Sequence, residues 1–193
     1  MGELAGVRIG CAMTGSFCTF KQVFEAWKLL KETGADLTPI MSFNACSLDT
    51  RFCPAKDAVE KFEEICGKRV LNTIPAVEPI GPKKMLDLMI VAPCTGNTIA
   101  KIANGITDTP AVLAVKSHLR NGRPVLIAVS TNDALSGSGQ NIGRLMNTRN
   151  IYFVPFRQDD SAGKPTSCVA DFDLLAKSAK KALEGRQMQP ILV

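Results

Sequence analysis

The stretch LDLMIVAPCTGNTIAKIANG, residues 86–105, decides the fold. Its first part, 86–92, is almost entirely apolar and has no helical period, which is typical of a strand buried on both faces of a sheet. The segment 93–97 then brings a proline, hydroxyl groups, a glycine and an amide. A short helix follows, with Ile99 and Ile102 on one side. A buried strand that passes directly into a helix indicates an α/β fold with a parallel sheet.

The same alternation of strand and helix continues on both sides of this stretch. Amphipathic helices lie between the strands; the first begins at Phe20 and the last covers 171–184. Residues 70–85 are rich in proline and stay unassigned, and 155–170 reads as a long loop. We therefore predict a single domain, 1–193, with a flavodoxin-like or Rossmann-like three-layer α/β sandwich and a mostly parallel sheet. Its apolar strands are predicted at 7–13, 37–41, 86–92, 124–130 and 151–154.

The composition excludes several classes of function. The formal net charge of +5 is too mild to indicate nucleic-acid binding, and one Trp and one Tyr offer no stacking platform for single strands. No apolar run approaches the ~20 residues that span a bilayer, and the start shows no secretory signal. We therefore expect a cytoplasmic protein. Seven cysteines and a single histidine indicate reduced thiols and no metal site.

Two loops at strand ends carry groups that suit a phosphate, since ligands of such folds bind beyond the carboxyl ends of the strands. The loop Thr14-Gly15-Ser16 opens a helix, whose N-terminal N–H groups attract anions. It fits neither the dinucleotide fingerprint nor the P-loop, and an ordinary turn with a serine cap explains it equally well. The loop 41–45, with Ser42 and Phe43, is explained better as a simple turn when it is taken alone.

The third loop carries a resemblance to a known family. Residues 93–103 resemble the P-A-S/T-A-N-T-I-A-K-I-A signature of the homo-oligomeric flavin-containing cysteine decarboxylases, which hold FMN with this segment. Thr14-Gly15-Ser16 matches the T-G-S loop of that family, and Ser42 falls where a phosphate-binding serine is usual. The segment 129–135 aligns with the substrate motif P-x-M-N-x-x-M. It keeps the asparagine, as Asn132, but not the proline or either methionine.

The resemblance implies an FMN site at the ends of the strands. The phosphate would contact Gly15, Ser16 and Ser42, and the isoalloxazine would rest against the segments 93–98 and 130–132. Asn132 would orient a substrate carboxylate, because an amide can donate hydrogen bonds to it. The residues so implied to bind the cofactor are Gly15, Ser16, Ser42, Phe43, Pro93, Cys94, Thr95, Asn97, Thr98, Ser130 and Thr131, with Asn132 as the catalytic residue.

Two departures argue against the best-known activities of that family. The decarboxylases carry a histidine before the third strand, where this chain reads Glu-Pro-Ile-Gly at 78–81. The flavin prenyltransferase relatives need a basic residue on the loop where Thr131 and Asn132 stand. A decarboxylase or prenyltransferase with an altered motif stays open as an alternative. Cys94 has no evident base beside it, so packing is its preferred role.

A narrower resemblance lies in three stretches, 78–82, 94–97 and 164–170. They are similar to the flavoprotein-like subunits of a two-subunit oxidoreductase of spore-forming bacteria. This implies the oxidation of a dihydrodipicolinate-type dicarboxylate to dipicolinate in the mother cell during sporulation, with NADP on a nicotinamide-binding partner subunit. The family also implies a homo-oligomer, a trimer or a dodecamer. A non-catalytic flavin-fold subunit that completes the partner's site is the alternative.

Three remaining features have less specific interpretations. The segment 137–143 approximates a dinucleotide fingerprint, but a loop with glycine hinges explains it better. The predicted loop 155–170 is placed to cover the site. His118 is predicted to face solvent or to lie at a helix end rather than to act in catalysis.

Overall fold

The computed structural model describes residues 2–193 and contains the predicted parallel sheet. Its parallel strands are β1 (Arg8–Met13), β2 (Asp36–Met41), β3 (Leu88–Cys94), β4 (Val125–Thr131) and β5 (Ile151–Phe153). They lie in the order β2-β1-β3-β4-β5. This is the strand order of flavodoxin-like folds, so the predicted fold class is confirmed.

Helices cover both faces of the sheet. Helix α1 contacts α3 and α8, whereas α6 contacts α4 and α5, so the two groups form the outer layers of a sandwich. Within residues 2–193 the α-helices are α1 (Phe20–Glu32), α2 (Phe43–Ser47), α3 (Ala55–Cys66), α4 (Ile74–Val77), α5 (Gly96–Ala103), α6 (Pro110–Leu119), α7 (Gly139–Met146) and α8 (Leu175–Leu183).

The core forms where the apolar faces of the helices meet the central strands. Every residue of β3 is buried, which explains its nearly continuous apolar sequence. Helix α1 buries Val23, Trp27 and Leu30, at the spacing of one helix face. Its Trp27 ring lies 6.0 Å from the ring of Phe62 on α3. The helix ends before Gly34, whose φ of +86° favours glycine at that position.

The segment 155–170 differs from its prediction as a loop. It contains two short strands, β6 (Phe156–Arg157) and β7 (Cys168–Ala170), which pair antiparallel with each other. Strand β7 also pairs antiparallel with the end of β4, at Ser130 and Thr131. Strands of two and three residues are too short to show alternating hydrophobicity, so the sequence pattern could not reveal this hairpin.

Two further helical segments lie where no helix was predicted. Helix α2 has five residues and begins after Ser42, whose Oγ accepts a hydrogen bond from the N–H of Ala45. Helix α4 and a 3₁₀ turn at Glu78–Ile80 occupy the proline-rich segment. None of the helices in the described chain is long and apolar enough to cross a membrane.

Candidate functional site

The carboxyl ends of β1, β2 and β3 enclose a first cavity of about 430 Å³. Three of the loops singled out in the sequence converge here, because these strands are neighbours in the sheet and all point the same way. Hydroxyl and amide groups dominate the wall, with one exposed aromatic ring. The first cavity is lined by Gly15, Ser42, Phe43, Asn44, Thr95, Asn97, Thr98, Lys101, Asp108 and Thr109.

A second cavity of about 300 Å³ lies on the other side of the β1 loop. It is formed by the end of β4 and by the hairpin of β6 and β7, which was not predicted. The wall carries further hydroxyl groups together with one lysine and one aspartate. The second cavity is lined by Gly15, Ser16, Phe17, Cys18, Thr19, Phe52, Thr95, Ser130, Thr131, Asn132, Asp159, Lys164, Ser167, Cys168 and Val169.

Gly15 and Thr95 line both cavities, so the two cavities are adjacent. A Cβ atom built on Gly15 would meet no protein atom closer than the Phe17 ring, at 3.4 Å. Packing within the protein therefore does not demand a glycine here. The missing side chain instead leaves open the space that the two cavities share.

Thr14 joins the loops of β1 and β3 beneath this shared space. Its Oγ1 donates to the carbonyl of Pro93 at 2.7 Å and accepts from the N–H of Thr95 at 3.1 Å. Thr14 is buried, so both hydrogen bonds are shielded from water. They fix the position of Thr95 relative to Gly15, the other residue common to both cavities.

The N-terminus of α5 points its backbone towards the cavities. Thr95 caps this helix, because its Oγ1 accepts a hydrogen bond from the N–H of Thr98 at 3.3 Å. The first N–H groups of a helix have no partner inside it, and the helix dipole adds positive potential there. A Cβ on Gly96 would lie 2.6 Å from both Thr131 Oγ1 and Ser138 Oγ, so this glycine lets α5 approach the β4 loop.

The structure separates the predicted site residues into two groups. The first cavity receives Ser42, Phe43, Asn97 and Thr98, in addition to the two shared residues. The second cavity receives Ser16, Ser130, Thr131 and Asn132. Ser16 was predicted to act beside Ser42 on one phosphate. Its Oγ is instead hydrogen-bonded to Ser130 Oγ at 2.7 Å, on the second-cavity side of Gly15.

Pro93 and Cys94 line neither cavity, although both were predicted to touch the cofactor. They belong to β3 and are buried, because the strand continues to Cys94 before the chain turns towards solvent at Thr95. Burial also raises the pKa of the Cys94 thiol well above its usual range, so this thiol is not a nucleophile at neutral pH. The structure supports a packing role for Cys94 and gives Pro93 a carbonyl contact with Thr14.

Sequence reasoning missed several residues of both walls. In the first cavity these include Lys101 and Asp108, whose side chains form an ion pair with Nζ 2.8 Å from both carboxylate oxygens. In the second cavity they include Asp159, Lys164 and Ser167 on the hairpin. The only signal in the sequence was the position of the segment 155–170, which was predicted as a loop that could cover the site.

Asn132 is exposed at the mouth of the second cavity and is held by the hairpin. Its backbone carbonyl accepts from Thr166 Oγ1 at 2.7 Å, and its Oδ1 accepts from Ser167 Oγ at 3.4 Å. These contacts leave the Nδ2 group available to donate a hydrogen bond. Nearby Asp133 accepts from Thr131 Oγ1 at 2.6 Å, and this hydrogen bond lowers the pKa of the carboxyl.

His118 lies outside the site in the last turn of α6, which agrees with the helix-end prediction, but it is buried and does not face solvent. Its Nε2 lies 3.0 Å from the carbonyl of Pro124, which directly precedes β4. This is the amino end of the strand, and the cavities lie at its carboxyl end. Burial lowers the pKa of His118 to about 4, so the ring is neutral at pH 7. No group of three or more His, Cys, Asp or Glu side chains suited to a metal occurs among residues 2–193.

Comparisons with known proteins agree with this architecture. The family model described as Flavoprotein matches residues 1–173. The B subunit of dipicolinate synthase from Bacillus subtilis is 47% identical over the whole chain and 96% of its own length. The crystal structure of the B subunit of dipicolinate synthase from Bacillus halodurans superposes with a TM-score of 0.91, at 42% identity, over 100% of this chain and 98% of that one. The FMN-dependent cysteine decarboxylase SpaF shares the fold, with a TM-score of 0.68 at 20% identity, over 92% of this chain and 98% of that one.

Proposed function

Because this chain belongs to the Flavoprotein family and, within it, to the family of the dipicolinate synthase B subunits, we propose that it binds FMN at these adjacent cavities. It acts there with the A subunit of dipicolinate synthase in the oxidation of a dihydrodipicolinate-type substrate to dipicolinate during sporulation. The observation that carries the proposal is the pair of adjacent polar cavities at the carboxyl ends of the strands, with Gly15 and Thr95 in the wall of both.

The residues of the first cavity fit a flavin nucleotide. Backbone N–H groups at the start of α5, together with the hydroxyl groups of Ser42 and Thr95, are the donors that a phosphate or a flavin ring edge accepts from. The half-exposed Phe43 ring, with 43% of its surface accessible, offers an apolar face for the isoalloxazine. In this arrangement Gly15 and Ser42 contact the phosphate, and Asn97 and Thr98 contact the ring.

The second cavity receives the dicarboxylate substrate. Asn132 donates from Nδ2 to a carboxylate, and the Ser16–Ser130 pair adds one free hydroxyl donor. Bound FMN would supply the capacity to accept a hydride, while the protein fixes the substrate beside it. The hairpin forms one wall of this cavity. NADP belongs to the partner subunit in this proposal.

The assembly is proposed to be a homo-oligomer, a trimer or a dodecamer. Three exposed apolar side chains provide a contact surface: Phe43 in the wall of the first cavity, Phe52 in the wall of the second, and Leu48 between them in sequence. Light scattering of the purified chain measures its mass directly. A monomer at micromolar concentration would contradict this part of the proposal.

A non-catalytic role is the second candidate, and one observation favours it. The cavity walls contain no histidine, and the acidic and basic groups there form the ion pairs Lys101–Asp108 and Lys164–Asp159. A protein that only stabilises its partner needs no proton carrier. In that case substitutions in the second cavity would leave turnover by the mixed subunits unchanged.

The deciding experiment measures dipicolinate formation by this chain and its partner subunit, separately and mixed, with FMN and nicotinamide nucleotide supplied independently. We expect activity that needs both subunits and rises with FMN. Asn132→Ala should lower the turnover of the mixture about tenfold, the cost of a hydrogen bond to a charged group. Asn147→Ala, at the exposed end of α7, is the matched control. FMN-independent activity that is insensitive to Asn132→Ala would favour the non-catalytic role.

A further inference from the structure

The hairpin of β6 and β7 adds a lysine to the second cavity, and this lysine can still bind a ligand. We propose that Lys164 binds one carboxylate of the dicarboxylate substrate, in competition with Asp159. The inference rests on the proposed function, because it assigns a receptor for the substrate in the same site. It adds a specificity-determining pair that the sequence did not indicate.

The backbone at Lys164 is fixed on both sides. Its N–H donates to the carbonyl of Asp160 at 2.8 Å, and its own carbonyl accepts from the N–H of Ser167 at 3.0 Å. The N–H of Gly163 also donates to Asp160 Oδ1 at 2.8 Å, which closes the preceding turn. A rigid backbone therefore carries a flexible side chain into the cavity, and less conformational entropy is lost on binding.

The two lysines that line the cavities differ in how strongly their ammonium groups are already paired with a carboxylate. Lys101 is 20% exposed and lies 2.8 Å from both oxygens of Asp108, so its ammonium group is well satisfied. Lys164 is 53% exposed and approaches Asp159 at only 3.6 Å, beyond normal hydrogen-bonding distance. An exposed pair of this kind contributes little to stability. Lys164 can exchange its partner for an incoming carboxylate at small cost.

The remaining donors of the second cavity suit the other carboxylate. Ser16 and Ser130 share one hydrogen bond between their hydroxyl groups, which leaves the second hydroxyl hydrogen free to donate outwards. Asn132 adds the amide donor described above. A ligand with two carboxylates is therefore recognised at two places, whereas a monocarboxylate can use only one of them.

The carboxylate of Asp159 competes with the ligand for Lys164. Burial acts to raise the pKa of this carboxyl, but hydrogen bonding and the positive charge of Lys164 outweigh it and lower the pKa. The carboxylate is therefore ionised at neutral pH and repels an anionic ligand while it attracts Lys164. Removal of each charge must then have opposite effects on binding: without Lys164 the affinity falls, and without Asp159 it rises.

The test is calorimetric titration of the full-length chain, with FMN present, using pyridine-2,6-dicarboxylate and pyridine-2-carboxylate as probes. We expect Lys164→Met to weaken binding of the dicarboxylate about tenfold and to reduce its advantage over the monocarboxylate. Asp159→Asn should tighten binding several-fold. Lys177→Met is the matched control, because this exposed lysine of α8 lines neither cavity and its loss changes the net charge equally.

Each outcome decides the inference. If both variants shift affinity in the same direction, if Lys164→Met behaves like Lys177→Met, or if the wild-type chain binds neither probe, the inference is wrong. FMN affinity is measured on the same samples, so the two proposals fail separately. If the chain binds FMN but Lys164→Met does not change the affinity for the dicarboxylate, only this inference is contradicted. If Lys164→Met weakens and Asp159→Asn tightens binding of the dicarboxylate, but the chain binds no FMN, only the cofactor assignment is contradicted.

Discussion

The hydroxyl groups of Ser16 and Ser130 are hydrogen-bonded at 2.7 Å, although 114 positions separate them along the chain. Ser16 follows β1 and Ser130 belongs to the end of β4, and β3 lies between these strands in the sheet. The β1 loop therefore bends across the end of β3 to reach β4. This contact places Ser16 in the second cavity and leaves Gly15 at the junction of both.

We predict that Ser16 and Ser130 act as one unit in ligand binding. Either Ser→Ala substitution removes the shared hydrogen bond and one donor, so each should weaken pyridine-2,6-dicarboxylate binding by about threefold to tenfold. The double variant should lose clearly less binding free energy than the two single variants lose together, because the residues are in contact. Calorimetric titration of the four proteins measures the coupling. Fully additive losses, or an equal loss in the exposed control Ser161→Ala, would be inconsistent with this view.

His118 should make the free energy of unfolding depend on pH. Its pKa in the folded chain is about 4, below the ordinary value of 6.5, because burial disfavours the charged ring. The unfolded chain therefore binds a proton in this window that the folded chain does not. Stability should be complete above pH 6.5 and should fall by about 2 kcal/mol between pH 7 and pH 5.

Urea unfolding at both pH values checks this prediction on the wild type and on His118→Gln. The amide of the variant can still donate to the carbonyl of Pro124 but cannot be protonated in this range. The variant should lose much less stability than the wild type on acidification. Equal losses in the two proteins would assign the pH dependence to other groups.

Gln187 should stabilise the fold by acting as a strand partner for β5. Its Oε1 accepts from the N–H of Phe153 at 2.8 Å, and its Nε2 donates to the carbonyl of Phe153 at 2.7 Å. Gln187→Ala leaves both backbone groups without this partner and should lower the free energy of unfolding by about 1–3 kcal/mol. Gln140→Ala, an exposed substitution on α7, should change it by less than about 0.5 kcal/mol. Thermal or urea unfolding that ranks the two variants equally would refute the role of Gln187.

The sequence predicted the sheet well because its strands are buried and its helices amphipathic. Burial requires apolar residues along the whole of β3 and at the helical spacing of Val23, Trp27 and Leu30 on α1. Both patterns can be read directly from the sequence. The family resemblance rested on 93–103, a contiguous motif, and it is confirmed by the comparisons.

The details of the site were less accessible, because they depend on contacts between distant segments. Nothing local in the sequence shows that Ser16 bends towards Ser130, or that Lys164 reaches the second cavity on a hairpin of very short strands. The burial of His118 was missed because its neighbours Lys116 and Arg120 are charged. Tertiary packing, rather than propensity, decided each of these positions.

Gly15 keeps open the space that FMN is proposed to fill, and FMN titration of the purified chain, followed by flavin absorbance and fluorescence, tests this most directly. We predict saturable binding by the wild type and at least about tenfold weaker binding by Gly15→Ala, with stability unchanged within about 1 kcal/mol. Gly143→Ala, at a position where a Cβ meets no atom within 4 Å, should bind FMN like the wild type. A wild-type chain that binds no FMN, or a Gly15→Ala variant that binds it equally well, would contradict the claim.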